Sequence, residues 1–148
     1  MHVTPATAAD IPALCELLDL LFTQEAEFAP DRDAQISGLR TIIDDPALGT
    51  ILVARDADAV LGMVNLLWTV STALGTRVAL LEDMVIAPDA RGRGLGGDLL
   101  EAALRHARER GCRRITLLTD ADNFRAQLFY RRHGFVASPM LPFRRALE

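Results

Sequence analysis

A chain of 148 residues, half of them hydrophobic, can bury one core without disulfide or metal staples, so one domain over residues 1–148 is expected. Sixteen basic against 20 acidic residues give a net charge of −4 with no basic block, which argues against a nucleic-acid binder and for small-molecule partners. Every basic residue is arginine, which removes Walker-type phosphate loops and Schiff-base chemistry; two distant cysteines, Cys15 and Cys112, suggest neither a disulfide framework nor a metal site.

The start, Met1 to Pro5, lacks the charged-then-apolar pattern of a secretory leader, and no apolar run approaches membrane-spanning length. A cytoplasmic protein with no membrane partner is expected. His2 to Thr4 suits a short first strand, and Thr7 with Asp10 resembles a capping box opening a helix. Ile11, Leu14, Cys15, Leu18, Leu21 and Phe22 follow at helical spacing, which places Cys15 as a core thiol. An acidic stretch with Glu25, Glu27, Asp31 and Asp33 leads into a second helical pattern containing Ile36, Leu39, Ile42 and Ile43.

Ile51 to Ala54 and Val60 to Val70 are β-rich runs around Arg55-Asp56-Ala57-Asp58, which predicts a hairpin, and Val78 to Ile86 predicts the next strand. Leu99, Leu100, Ala103, Leu104 and Ala107 share one face of a helix that Gly111 should end. Arg114 to Thr119 predicts a strand, Asn123 to Arg132 a helix, and Phe135 to Ala137 and Phe143 to Ala146 short closing strands. The order predicts an α/β domain with a mixed sheet.

Between strand and helix lies Arg91-Gly92-Arg93-Gly94-Leu95-Gly96, with Gly97 next. Glycines allow tight turns and leave backbone N–H groups bare, and a helix N-terminus adds partial positive charge, so the segment suits an anion such as phosphate. Gly92, Gly94 and Gly97 also satisfy the dinucleotide pattern G-x-G-x-x-G, with Asp120 near the ~20-residue interval expected for a ribose contact. Against that alternative, a nicotinamide-dinucleotide-binding protein, Pro88 to Arg91 separate the strand from the first glycine. The motif also lies too late in the chain to leave room for a doubly wound sheet.

Read as R-x-x-G-x-G, Arg91 to Gly96 resembles the signature of the GNAT superfamily of acyl-CoA-dependent N-acyltransferases. Leu81 to Pro88 resembles that family's central strand, and Asn123, Phe129-Tyr130 and Gly134-Phe135 its last conserved block. Val3 to Asp10 resembles its usual beginning. The resemblance implies a single GNAT-like domain whose mixed sheet splays between the fourth and fifth strands and is flanked by about four helices. It implies acetyl-CoA as co-substrate, no metal, and transfer of the acetyl group to a primary amine of a small molecule or a protein N-terminus by direct attack in a ternary complex. The cofactor would lie along Met84, Val85 and Ile86, its pyrophosphate on Arg91, Gly92, Arg93, Gly94, Leu95, Gly96 and Gly97, with Asn123 on the other side of the pantetheine arm.

The same resemblance implies Tyr130, the chain's one tyrosine, as general acid; a phenol of pKa about 10 keeps its proton at neutral pH. Glu82 is the candidate base, with Asp83 and water as alternatives; on strand alternation Glu82 shares a face with Met84 and Asp83 points away. The acceptor pocket is expected from Phe22 to Arg32 and Ser138 to Pro142, and a homodimer from exposed sheet edges. The alternative within the same resemblance is an acyl-CoA-binding module without turnover.

Overall fold

The structure is a computed structural model and describes residues 1–24 and 30–147, without the side chain of Gln24. Glu25 and Glu27 lie outside the described residues. The chain divides into two units, Met1–Leu118 and Thr119–Glu148, and each is described by itself.

The first unit runs β1 (His2–Pro5), a 3₁₀ turn (Ala8–Asp10), α1 (Ile11–Gln24), α2 (Arg32–Asp44), β2 (Gly49–Asp56), β3 (Ala59–Ser71), β4 (Thr76–Ile86), α3 (Leu95–Glu109) and β5 (Ile115–Leu117). The sheet has the order β1-β2-β3-β4-β5 and is antiparallel except for the β4–β5 pair. That parallel pair requires a crossover, which α3 supplies. The expected mixed α/β architecture is therefore present.

The start of α1 follows from the pairing of Thr7 and Asp10. The Thr7 N–H donates to Asp10 Oδ2 at 2.8 Å and the Asp10 N–H to the Thr7 carbonyl at 2.9 Å, which closes the turn ahead of the helix. Asp10 is 7% exposed and is held by a second partner: Arg55 Nη1 donates to Oδ1 at 2.8 Å, Nη2 donates to Oδ2, and Arg55 Nε donates to Thr4 Oγ1 at 2.9 Å. The guanidinium holds the Asp10 carboxyl below the ordinary carboxylate value. This cluster joins β1, β2 and the entry to α1.

One face of the sheet is covered by α1 and α2, whose Leu14, Cys15, Leu18 and Leu39 bury against Ile51, Val53, Met63 and Val85. Cys15 is fully buried, and burial pushes its thiol pKa up, as a core thiol requires. The alternate residues of β3, Val64 and Leu66, face the other side with Leu99, Leu100 and Ala103 of α3. The hairpin turn is shorter than expected: the strands run through Asp56 and resume at Ala59, because Ala57 accepts a left-handed φ of +53°.

The second unit contains α4 (Phe124–Arg132). Asn123 caps it, its side chain accepting from the Ala126 N–H at 3.1 Å. At the other end the Phe135 N–H donates to the Tyr130 carbonyl and the Gly134 N–H to that of Arg131, with Gly134 at φ +89°. This double closure is the Schellman geometry, and it explains the Gly134-Phe135 pair physically. The expected closing strands at 135–137 and 143–146 are absent; these segments carry no regular structure. Runs of three or four residues cannot hold a strand by propensity alone, because a strand exists only through ladder partners.

Candidate active site

The β4 strand carries the centre of the site. Its parallel ladder with β5 covers Ala79, Leu80 and Leu81 opposite Ile115, Thr116 and Leu117, and there it ends. Glu82 to Ile86 lie beyond it, so the fourth and fifth strands part at the residues where the resemblance puts the expected cofactor arm. On its other edge β4 pairs with β3, and the register slips: Met63 faces Val85 and Asn65 faces Glu82, so one residue of β3 opposes two of β4, Asp83 and Met84. Such a bulge needs a residue of unusual backbone conformation, and Asp83 takes it at φ +52°. Aspartate tolerates the left-handed region better than most residues.

The bulge overturns the alternation expected for the two carboxylates. In an unbroken strand Asp83 would point away from the face of Asn65. Instead Asn65 Nδ2 donates to Asp83 Oδ2 at 3.3 Å. Burial raises the Asp83 carboxyl above its ordinary value, and the bond from Asn65 offsets part of that rise. Glu82, by contrast, is exposed.

Asp83 and Asn65 form one wall of a cavity of about 310 Å³ between the sheet and helices α1 and α2. Leu18 and Phe22 of α1 and Ala34, Gly38, Leu39 and Ile42 of α2 supply apolar lining, with Gln35 on α2 and Asp31 at its cap. Gln35 is 6% exposed and Asn65 4%. Gln35 Nε2 donates to Asp19 Oδ1 at 2.8 Å, and Asp19 also receives Arg32 Nη2 at 2.7 Å. Among the described residues, two buried side-chain atoms make no hydrogen bond: Gln35 Oε1 and Asn65 Oδ1. An unmade bond at a buried polar atom costs roughly 1–3 kcal/mol. Neither residue was foreseen from sequence. The signal was present: Asn65 interrupts Met63-Val64-Asn65-Leu66-Leu67, and Gln35 stands four and seven residues before Leu39 and Ile42, on the apolar stripe of its helix.

After β4, Pro88–Ala90 form a 3₁₀ turn and the chain enters α3 through the glycine loop. Gly92 and Gly94 have φ of +79° and +76°, conformations that L side chains rarely adopt, and Gly94 caps α3. A Cβ at either would meet nothing within 4 Å. The glycines are thus required by backbone conformation, and the space outside them is open for a ligand. Arg91 Nε donates to the Ile86 carbonyl at 3.1 Å and Arg93 Nη2 to that of Asp89 at 3.4 Å, which ties the loop to the end of β4. The N–H groups of Leu95, Gly96 and Gly97, in the first turn of α3, have no partner four residues back, which makes this end a donor cluster.

In the second unit Tyr130 packs edge-to-face on Phe129 and Phe135, with ring centroids 5.2 and 5.6 Å apart. Burial raises its phenol above the ordinary value, so it holds its proton more firmly. The amide oxygen of Asn123 is engaged by the α4 cap.

The sequence profile of the acetyltransferase (GNAT) family matches residues 11–135. The chain belongs to that family. The uncharacterized N-acetyltransferase YhfO of Bacillus subtilis strain 168 is 30% identical over 138 residues, covering 91% of this chain and 89% of that protein. A mycothiol acetyltransferase of Saccharopolyspora erythraea is 37% identical over 91 residues, 62% of this chain and 28% of its own length. Among solved structures, an integron cassette protein from the mobile metagenome of Cole Harbour Salt Marsh superposes with a TM-score of 0.85 at 28% identity, covering 99% of this chain and 90% of that one. The GNAT fold, with its parted β4 and β5, is therefore the fold of this chain. No helix among the described residues is long and apolar enough to cross a membrane.

Proposed function

We propose that this acetyltransferase moves the acetyl group of acetyl-CoA to a primary amine of a small molecule, by direct attack in a ternary complex. One observation carries the reading: a strand whose ladder to β5 stops at Leu81 leads, through one 3₁₀ turn, into a loop of bare backbone at the N-terminus of α3. An extended arm ending in a pyrophosphate fits that sequence of features. Backbone groups of Met84, Val85 and Ile86 would take the arm, and Arg91, Gly92, Arg93, Gly94, Leu95, Gly96 and Gly97 the pyrophosphate, and the amide of Asn123 would be a further contact to the arm.

Attack requires a neutral amine, a stabilised oxyanion and a protonated leaving sulfur. Asp83 is the proposed base, because it lines the cavity and its raised pKa brings it nearer the proton it must accept. Glu82, exposed at the preceding position, is the second carboxylate in reach of water and remains the alternative. The amine nitrogen bonds to the thioester carbon as its proton passes to the carboxylate. A main-chain N–H of Met84 would stabilise the oxyanion, a kind of donor whose loss typically costs about 10²–10³ in rate. As the carbon–sulfur bond breaks, Tyr130 would protonate the sulfur.

The test is steady-state release of free thiol from acetyl-CoA with a mixed amine library, beside Tyr130→Phe. That variant keeps the ring and removes the proton, so kcat should fall roughly 10²-fold with acetyl-CoA affinity unchanged. Parent-level turnover in a folded, acetyl-CoA-binding variant would remove Tyr130 from the mechanism. Binding of acetyl-CoA with no thiol release from any amine would leave an acyl-CoA-binding module instead.

A further inference from the structure

The cavity between α1, α2 and the β4 bulge has a chemical polarity that the transfer reading does not use. Gln35 and Asn65 each direct the NH₂ end of the amide at a carboxylate, Gln35 at Asp19 and Asn65 at Asp83. Because a carboxylate only accepts, those contacts fix which end of each amide is which. The ends left over, Oε1 of Gln35 and Oδ1 of Asn65, are therefore acceptors, each on a residue more than nine-tenths buried and each without a partner among the described residues. Buried polar atoms are almost always satisfied, and a leucine or methionine would fill either position without the cost. A donor that arrives with a ligand accounts for both.

Asp83 adds a third acceptor to the same wall, and the rest of the lining is dominated by Leu18, Phe22, Leu39 and Ile42. Among the described residues no arginine or histidine lines the cavity, so a ligand carboxylate would find no counter-charge from them. Asp31 stands at the end of α2, where its carboxylate already accepts from the Ala34 N–H. The volume, about 310 Å³, is at the small end of the range of ligand sites.

We propose that this cavity is the acceptor site and selects a compact primary amine with an apolar body, whose ammonium donates its three N–H groups to Gln35 Oε1, Asn65 Oδ1 and the Asp83 carboxylate. The inference rests on the transfer reading for its chemistry but not for its binding. An ammonium has three donors and no acceptor, which matches the three acceptors on this wall, the two amide oxygens and the Asp83 carboxylate. Before attack the ammonium would release one proton to water, and Asp83 would take a second as the nitrogen bonds to the thioester carbon, which leaves the product amide its single N–H. Polyamines, aminoglycosides and free amino acids would each bring a second polar or charged group into apolar lining and are disfavoured.

The experiment compares 2-phenylethylamine and hexylamine with spermidine, kanamycin and glycine as acceptors, in the parent and in Gln35→Met. The apolar amines should give at least tenfold higher kcat/KM than the others. Gln35→Met should raise KM for 2-phenylethylamine about tenfold, leave acetyl-CoA affinity unchanged, and leave the melting temperature equal or higher, since it removes an unpaired atom while Asp19 keeps Arg32. Calorimetry of 2-phenylethylamine and its neutral isostere 2-phenylethanol on the protein alone completes the test: the amine should bind at least tenfold more tightly, and Gln35→Met should erase that difference. Turnover with kanamycin, spermidine or glycine in preference to the apolar amines overturns the inference and leaves acetyl transfer standing. Absence of turnover with every amine overturns the transfer reading, while the calorimetry still decides the cavity. Equal affinity for amine and alcohol, or a Gln35→Met variant that binds like the parent, overturns the inference in either case.

Discussion

Two buried polar clusters sit on this sheet, and they differ in one respect. Around Asp10 every oxygen is matched: Arg55 takes both carboxylate oxygens, Thr7 adds its N–H, and the remaining Arg55 nitrogen finds Thr4. Around Asp83 the matching is incomplete, with one hydrogen bond from Asn65 and two amide oxygens left over. The first cluster joins three elements of the chain to one another. The second holds two acceptors without a partner among the described residues, beside the bulge that distorts the strand. Closed buried polarity serves the fold, and open buried polarity is what the proposed amine would complete.

The contrast breaks most visibly at Arg55. Arg55→Met would leave Asp10 buried and unpaired, and losing one partner of such a pair costs roughly 3–5 kcal/mol. Urea denaturation should show that loss, and a cost below about 1 kcal/mol would mean that the closed cluster is not structural. Asp83→Asn should act in the opposite sense: stability equal or higher, with kcat reduced about 10²-fold, at the low end for a base because Glu82 or water substitutes in part. Thiol release at saturating acceptor, paired with a melting curve, checks both halves. Parent-level turnover would move the base to Glu82 or to water.

The smallest effect is in the pH dependence, where the two aspartates have opposite signs. Asp10 has a lowered folded pKa, so its contribution to stability is present above the unfolded value of about 3.9 and is lost as pH falls through the folded value. Asp83 has a raised folded pKa, so its contribution is present below about 3.9 and is lost as pH rises through the folded value. Relative to the parent, Asp83→Asn should therefore gain stability as pH rises above about 4, whereas the deficit of Asp10→Asn should be complete above about pH 4 and close as pH falls below it. Denaturation midpoints on both sides of pH 4 test the signs, and a gap to the parent that opens or closes on the wrong side would contradict the assignment.

The parts of this molecule that were legible in the sequence are those that depend on neighbours along the chain. Helices α1 and α3 followed from apolar spacing, the entry to α1 from Thr7 and Asp10, and the loop from glycines that the backbone uses at positive φ. What depended on partners across the chain was not legible. Strict alternation put Asp83 on the wrong face because a bulge is defined by a register between two strands, which one strand does not reveal. Gln35 and Asn65 look like imperfections in apolar runs until both are found on one cavity. The predicted strands at 135–137 and 143–146 failed for the same reason, since propensity supplies an extended chain but not a partner.

The bulge at Asp83 and Met84 also sets which side of this strand a charge faces. Glu82 and Val85 both oppose residues of one β3 face, Asn65 and Met63, although they are three positions apart, which regular alternation forbids. Removing Met84 would put them two apart and restore an unbroken ladder, with Val85 still seated against the core and Asp83 turned to the opposite face. A deletion in the middle of a central strand is ordinarily ruinous. Here the in-frame loss of one residue would regularise the ladder but turn the Asp83 carboxylate toward buried Val64 and the α3 side, so the bulge also keeps this charge out of the apolar core.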